Sequence, residues 1–249
     1  KAYDTLNAAK AIAPFIRENS VILTLQNGVG NAEAITRALG KRAKNIFILA
    51  GTTSEAATLE SPGKIKHTGK GETVFGWYAG AKISRFNLKN IANILNASGI
   101  KTSLTENVKG LLWSKLVINS AINPAGAIAF KKNGELLKDK CLKELLFLTA
   151  GESAKIARQA AIRLLYNDPE KKVEEVCRKT AQNYNSMLQD IMRHKKTEVD
   201  YINGAVLKTA HEHRPVLETP LNKMLYCLIK LIERQYGTTS KKNISQRYP

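Results

Sequence analysis

The apolar run Val21-Ile22-Leu23-Thr24-Leu25 is the feature that most restricts the fold. It is short and lacks polar alternation, so it reads as a strand buried on both faces, as in a parallel sheet. A second apolar run, "NIFILAGTT", follows after one helical segment, "NAEAITRALG", with Asn31 as candidate N-cap and Gly40 as stop. Strand–helix–strand order of this kind builds an α/β sheet with a right-handed crossover. Upstream, "YDTLNAAKAIAPFI" has helical apolar spacing at Leu6, Ala9, Ile12 and Ala13. Downstream, "SPGKIKHTGKGETVFGWY" has turns at Pro62-Gly63 and from Gly69 to Gly71, which predicts a hairpin about the second turn. "RFNLKNIANILNASG" reads as another helix, ended by Gly99.

From Glu106 onward strand signals nearly vanish. Helical patterns cover residues 108–122, 142–161, 169–190, 198–211 and 220–236, and the last stretch, "GTTSKKNISQRYP", reads as a frayed tail. The expected organisation is an α/β domain over residues 1–105 and an all-helical domain over residues 106–249. At 249 residues and 43% hydrophobic, the chain can bury one large core or two smaller ones. No apolar run reaches membrane-spanning length and no signal peptide is visible, so no membrane partner is expected. Cys141, Cys177 and Cys227 are far apart and lack metal-ligand spacing; they read as reduced thiols in a cytoplasmic protein, with no metal. The net charge of +18 favours anionic ligands. The basic residues are scattered and no zinc-finger or RNP-type motif occurs, so the expectation is a solvated basic surface without a specific nucleic-acid partner.

Three stretches carry candidate chemistry. In "LLWSKLVINSAINP", Lys115, Asn119 and Asn123 stand four apart and share one stripe of a helix. Pro124 disfavours the α conformation at Asn123, which predicts that the helix ends or kinks there and leaves Asn123 at an exposed end. Spacing alone fits either a solvated polar face or one wall of a site. In "AQNYNSMLQDIMRHKKTEVDYING", Asn183, Ser186 and Asp190 fall on one helical face. Glu198 opens the next helix behind Thr197, with Val199, Ile202 and Val206 on the buried side. A glutamate in a first turn is also explained by the helix dipole, and Asp190 and Asp200 read as solvated or structural. The third stretch, "QNGVGN", follows a strand, where α/β sheets bind ligands and glycines let backbone approach them; an ordinary tight turn explains it equally.

"LQNGVGN", "WSKLVINSAINP" and "SMLQDIMRHKKTEVDYING" occur in this order, with "NGEL" (from Asn133) and "TPLN" (from Thr219) besides. Together they resemble the 2-dehydropantoate 2-reductase (ketopantoate reductase) family over essentially the whole chain. The resemblance implies an α/β Rossmann-type domain for NADPH, followed by a helical domain like the C-terminal domain of 6-phosphogluconate dehydrogenase. The implied activity is reduction of 2-dehydropantoate (ketopantoate) to (R)-pantoate, on the route to pantothenate and coenzyme A. Lys115 matches the family's general acid and Glu198 the glutamate that holds the substrate hydroxyl. Asn119, Asn123, Asn183 and Ser186 match substrate-site positions, and Asn27, Lys1 and Ala57 match cofactor contacts.

The chain departs from the family pattern in having no G-x-G-x-x-G turn. The match begins at Lys1, past the family's first two βα units of roughly 30 residues each, so the Rossmann-type domain is expected to be N-terminally incomplete. Two alternatives remain: a related 2-keto acid reductase, and a non-catalytic binding module without the glycine fingerprint. Monomer and homodimer are both open.

Overall fold

The computed structural model describes residues 1–238. Two compact units divide the chain between Trp113 and Ser114.

The first unit opens with a 3-10 turn (Ala2–Asp4), helix α1 (Thr5–Ile12) and a second 3-10 turn (Ala13–Phe15). Strand β1 (Val21–Thr24), helix α2 (Asn31–Leu39) and strand β2 (Phe47–Thr53) form the expected parallel crossover, with Val21 opposite Phe47 and Thr24 opposite Ala50. Strands β3 (Ala56–Ser61) and β4 (Lys64–Gly69) make a separate two-stranded sheet. Strand β5 (Thr73–Gly80) pairs antiparallel with β2; helix α3 (Arg85–Ala97) follows, and strand β6 (Thr102–Leu104) pairs parallel with β5. The main sheet has the order β1-β2-β5-β6.

Alternation along β2 fixes both layers of this unit. Ile48 and Ala50 pack with Ala9, Ile35, Leu39 and Val108, whereas Leu49 turns to Phe75 and Ala92. Strand β2 is thus buried on both faces. Among the described residues β1 is an edge strand paired only with β2, and its Val21 is 44% exposed. The hairpin is also displaced from its expected place. It closes at Pro62-Gly63, where Gly63 has φ +79° and Ser61 pairs with Lys64. After the second turn, the fully buried Phe75 draws its strand into the main sheet instead. Asn31 is the first residue of α2, not its cap. Gly30, at φ +97°, holds the cap position, and the buried Asn31 amide accepts from Thr5 Oγ1 at 2.8 Å and donates to the Asn27 carbonyl.

Helix α4 (Val108–Ala129) runs across the boundary between the units. The second unit continues with α5 (Asn133–Leu136), α6 (Lys140–Gln159), α7 (Pro169–Lys179), α8 (Ser186–Met192), a 3-10 turn (Val199–Tyr201), α9 (Asn203–Glu212) and α10 (Pro220–Thr238). Val117, Ile118 and Ala121 of α4 pack on Leu146 and Ala150 of α6 and on Val173 and Cys177 of α7. A second cluster joins Met187, Leu188 and Ile191 of α8 to Val199, Ile202 and Ile229. The expected tail beyond residue 238 lies outside the described residues.

Three helix expectations change in this unit. The stretch 169–190 breaks into α7 and α8, because the Asn185 side chain accepts from Leu188 N–H at 2.9 Å and starts a new helix. The stretch 198–211 breaks at Ile202 (φ −108°, ψ −89°), leaving a 3-10 turn ahead of α9. Pro124, finally, does not end α4, which continues to Ala129. A proline has no N–H to give its i−4 carbonyl, here Ser120. The Asn203 amide donates to that oxygen from α9, at 2.9 Å.

Candidate active site

Because α4 stays helical past Pro124, Lys115, Asn119 and Asn123 remain in one file. Lys115 and Asn119 are half-buried, and Asn123 is buried at 5% exposure rather than at an exposed helix end. Burial pushes the Lys115 ammonium down from its usual 10.5 to about 8, while the negative charge of Glu198 acts in the opposite sense. The two groups are therefore electrostatically coupled, although 83 residues apart by number.

Glu198 is buried at 5% exposure and stands before the 3-10 turn rather than inside an α-helix. That burial counts against a solvated first-turn glutamate placed only for the dipole. Its neighbours pin the segment to α10. Thr197 gives both its N–H and its hydroxyl to Glu233 Oε1, each at 2.7 Å, and its own Oγ1 accepts from Val199 N–H. Asp200 accepts from Tyr226 Oη at 2.9 Å and pairs with Lys230 at 3.3 Å, which in turn pairs with Glu233 at 2.7 Å. Asp200 is thus structural, as expected.

Ser186 is half-buried in the first turn of α8. Asn183 is exposed and lies in the loop before that helix, not on its face, because the Asn185 cap fixes the helix start at Ser186. The Asn183 carbonyl accepts from Asn133 N–H at 3.0 Å, and Asn133 Nδ2 donates to Thr180. "NGEL" thereby latches the loop that precedes Ser186.

In the first unit, Asn27 is half-buried in the loop between β1 and α2, at the C-terminal edge of the sheet. Gly28 (φ +80°) and Gly30 shape this loop, and a Cβ built on Gly30 would meet nothing within 4 Å. Lys1 is exposed at the entry to the first 3-10 turn, and Ala57 is exposed in β3, outside the sheet that carries Asn27. Among the described residues, no group of three His, Cys, Asp or Glu could hold a metal ion, and no helix is long and apolar enough to cross a membrane.

Residues that motif reading passed over hold this arrangement: Asn185, Asn203, Asn222, Glu152 and Glu233. The available signal was amides inside apolar helix faces, such as Asn203 directly after Ile202. Asn185 also explains Gly126, since a Cβ there would lie 2.3 Å from Asn185 Nδ2. Gly126→Ala should displace a buried capping amide and lower stability by about 1–3 kcal/mol, measured by denaturant unfolding. Asn185→Ser, which keeps a capping oxygen on a shorter side chain, should recover much of that loss. Unchanged stability of Gly126→Ala would show that the amide yields freely.

The family described as "Ketopantoate reductase PanE/ApbA C terminal" matches residues 107–233, and "Ketopantoate reductase PanE/ApbA" matches residues 1–80. The 2-dehydropantoate 2-reductase of Pyrococcus abyssi is 38% identical over 230 residues, covering 92% of this chain and 73% of that protein. A PanE/ApbA family ketopantoate reductase structure from Ralstonia eutropha JMP134 superposes with a TM-score of 0.82 at 27% identity, over 94% of this chain and 74% of that one. A ternary structure of D-mandelate dehydrogenase with NADH and anilino(oxo)acetate gives a TM-score of 0.86 at 26% identity, over 95% and 74%. The chain thus spans about three quarters of the length of these relatives. Its α/β sheet is the Rossmann-type part of their architecture and its helices the C-terminal part. With both family regions matched and a relative above 30% identity over most of the chain, this protein belongs to the ketopantoate reductase family.

Proposed function

We propose that this chain reduces ketopantoate to (R)-pantoate with NADPH, in a cytoplasmic setting, with a cofactor domain over residues 1–105 and a catalytic helical domain from residue 106. The observation that carries the reading is Lys115: a half-buried ammonium, lowered to about 8, coupled to Glu198 and in file with two amides. Bound NADPH supplies the hydride that adds to the keto carbon. Lys115 Nζ gives a proton to the keto oxygen as negative charge develops there, becomes a neutral amine, and regains its proton from water. A group that titrates near working pH serves both halves of that cycle.

Glu198 accepts from the substrate hydroxyl, and its charge holds the proton on Lys115. Asn119 and Asn123 orient the substrate without adding a competing charge. Ser186, with Asn183 at the loop before it, faces the substrate carboxylate. Asn27, Lys1 and Ala57 are the cofactor contacts. The loop from Gln26 to Gly30 fits a close-lying cofactor, because its glycines leave the backbone uncovered and open space stands above Gly30. The exposed Met224, Leu228 and Leu231, on one face of α10, support a homodimer.

A second reading, reduction of an aryl 2-oxo acid, is favoured by the similarity to D-mandelate dehydrogenase. Steady-state NADPH oxidation by the intact protein, with ketopantoate and with phenylglyoxylate, separates the two; higher kcat/KM for phenylglyoxylate would overturn the ketopantoate reading.

Lys115→Ala should lower turnover by about 10²–10⁴-fold while circular dichroism shows an intact fold, and near-normal turnover would remove Lys115 from the mechanism. Since the protonated amine is the acid, wild-type kcat/KM should fall as pH rises through about 8. Glu198→Gln removes the charge that raises the Lys115 pKa, so the fall should move to lower pH and KM for ketopantoate should rise. A limb that stays in place would show that Glu198 does not act on Lys115.

A further inference from the structure

The oxygen that Pro124 leaves without a helical partner belongs to Ser120, and the break in the helical ladder lies between Asn119 and Asn123. Sharp helix kinks, of more than about 20°, occur mostly at proline, where a hydrogen bond is lost and the ring crowds the i−4 carbonyl. Lys115 stands five residues before Ser120, about 8 Å along the axis, so such a kink would carry its backbone about 2–3 Å relative to Asn123. Misplacement of that size is enough to cost catalysis about a hundredfold.

We infer that Asn203 is a positioning residue: its amide, given to the Ser120 carbonyl, keeps α4 continuous across Pro124 and holds Lys115, Asn119 and Asn123 in one file. The inference rests on the reading of Lys115 as the proton donor.

The direction of this hydrogen bond is fixed by a buried chain of partners. Glu152 accepts from the backbone N–H groups of Leu221 and Asn222, at 3.1 and 2.8 Å, and from Asn222 Nδ2 at 2.8 Å. Asn222 Nδ2 also meets Ser153 Oγ at 3.0 Å. With its amine so placed, Asn222 turns its Oδ1 to Asn203, which must donate, at 3.0 Å. The same Asn203 Nδ2 therefore faces the Ser120 oxygen. Asn203 and Asn222 are both 0% exposed. Asn203 Nδ2 thus serves two acceptors, Asn222 Oδ1 at 3.0 Å and the Ser120 carbonyl at 2.9 Å. Ser120 Oγ, shared with Ser153 Oγ at 2.8 Å, bonds the Val117 carbonyl and ties the same turn of α4 to α6.

The test is a double-mutant cycle in the intact protein, because Pro124→Ala restores the backbone N–H that the Ser120 oxygen lacks. Asn203→Ala in the wild-type background should lower kcat for ketopantoate by about 10–100-fold, with a smaller change in KM. In the Pro124→Ala background the same substitution should cost no more than about twofold, the usual limit of additivity. Should Asn203→Ala alone fail to fold, the double variant is expected to fold and turn over. Equal losses in both backgrounds, no loss in the wild-type background, or a double variant that also fails to fold would each overturn the inference. If the wild-type protein does not oxidise NADPH with ketopantoate, the functional proposal fails. The cycle is then read on the Lys115 titration midpoint by NMR. That midpoint should shift in Asn203→Ala and return in the double variant; an unmoved midpoint overturns the positioning role.

Discussion

A single backbone carbonyl without a helical partner organises the second unit. Ser120 sits beside the apolar cluster of Val117, Ile118, Ala121 and Ile122, and a buried acceptor there must find a donor or raise the energy of the fold. The donor comes from α9, is oriented by α10, and is anchored by a carboxylate and a hydroxyl on α6. Three helices are thereby placed against α4 by directional bonds as well as by apolar contact. Apolar packing alone tolerates rotation and sliding of helices; a polar chain satisfied in only one arrangement does not. The motifs "TPLN" and "DYING" have their physical content here. Asn222 and Asn203 are the amides of that chain, and Glu198 lies on the same segment as Asn203.

The half-buried Lys115 is the opposite case, a charge the fold holds at a cost. Its pKa is lowered from 10.5 to about 8, so the folded chain holds this proton less tightly than the unfolded chain does. Between about pH 8 and 10.5 the unfolded state carries the extra proton. Stability from this group therefore rises with pH across that window, while the supply of the protonated acid falls. Stability and the proposed proton transfer pull in opposite directions at the same nitrogen, as expected where a site is strained for function rather than relaxed for the fold. Glu198 reduces the cost without removing it, because burial remains the larger influence.

How much of this was legible in the sequence depended on the reach of the interactions. The file of Lys115, Asn119 and Asn123 followed from helical period alone, and period is local. The α2 crossover was legible for the same reason, since Val21–Thr24 and Phe47–Thr53 are short apolar runs flanking one amphipathic segment. What failed was settled by distant partners. Pro124 reads as a helix end or kink, yet the helix runs on to Ala129 with Asn203, 79 residues later, donating to the carbonyl that the proline leaves. Asn31 reads as a cap until Thr5 and the Asn27 carbonyl claim its amide. Asn183 reads as helical until Asn185 takes the cap position and Asn133 takes the Asn183 carbonyl.

The choice between ketopantoate and an aryl 2-oxo acid turns on the hydroxyl contact proposed for Glu198 rather than on the fold. Both substrates carry the 2-oxo acid group that Lys115, the two asparagines and Ser186 are proposed to meet, and both classes of relative share the architecture. Only ketopantoate offers a hydroxyl beyond the keto carbon. A buried carboxylate, 5% exposed and pinned by Thr197 and Asp200 to α10, is an expensive feature to set against a bare aromatic ring. Sites built to accept from a substrate hydroxyl discriminate against analogues lacking it by up to about 10⁴–10⁵-fold, because the polar group is then buried without that partner. An apolar side chain at position 198 would suit an aryl substrate and would cost the fold less. A glutamate there, in a segment held by so many bonds, argues for the hydroxylated substrate.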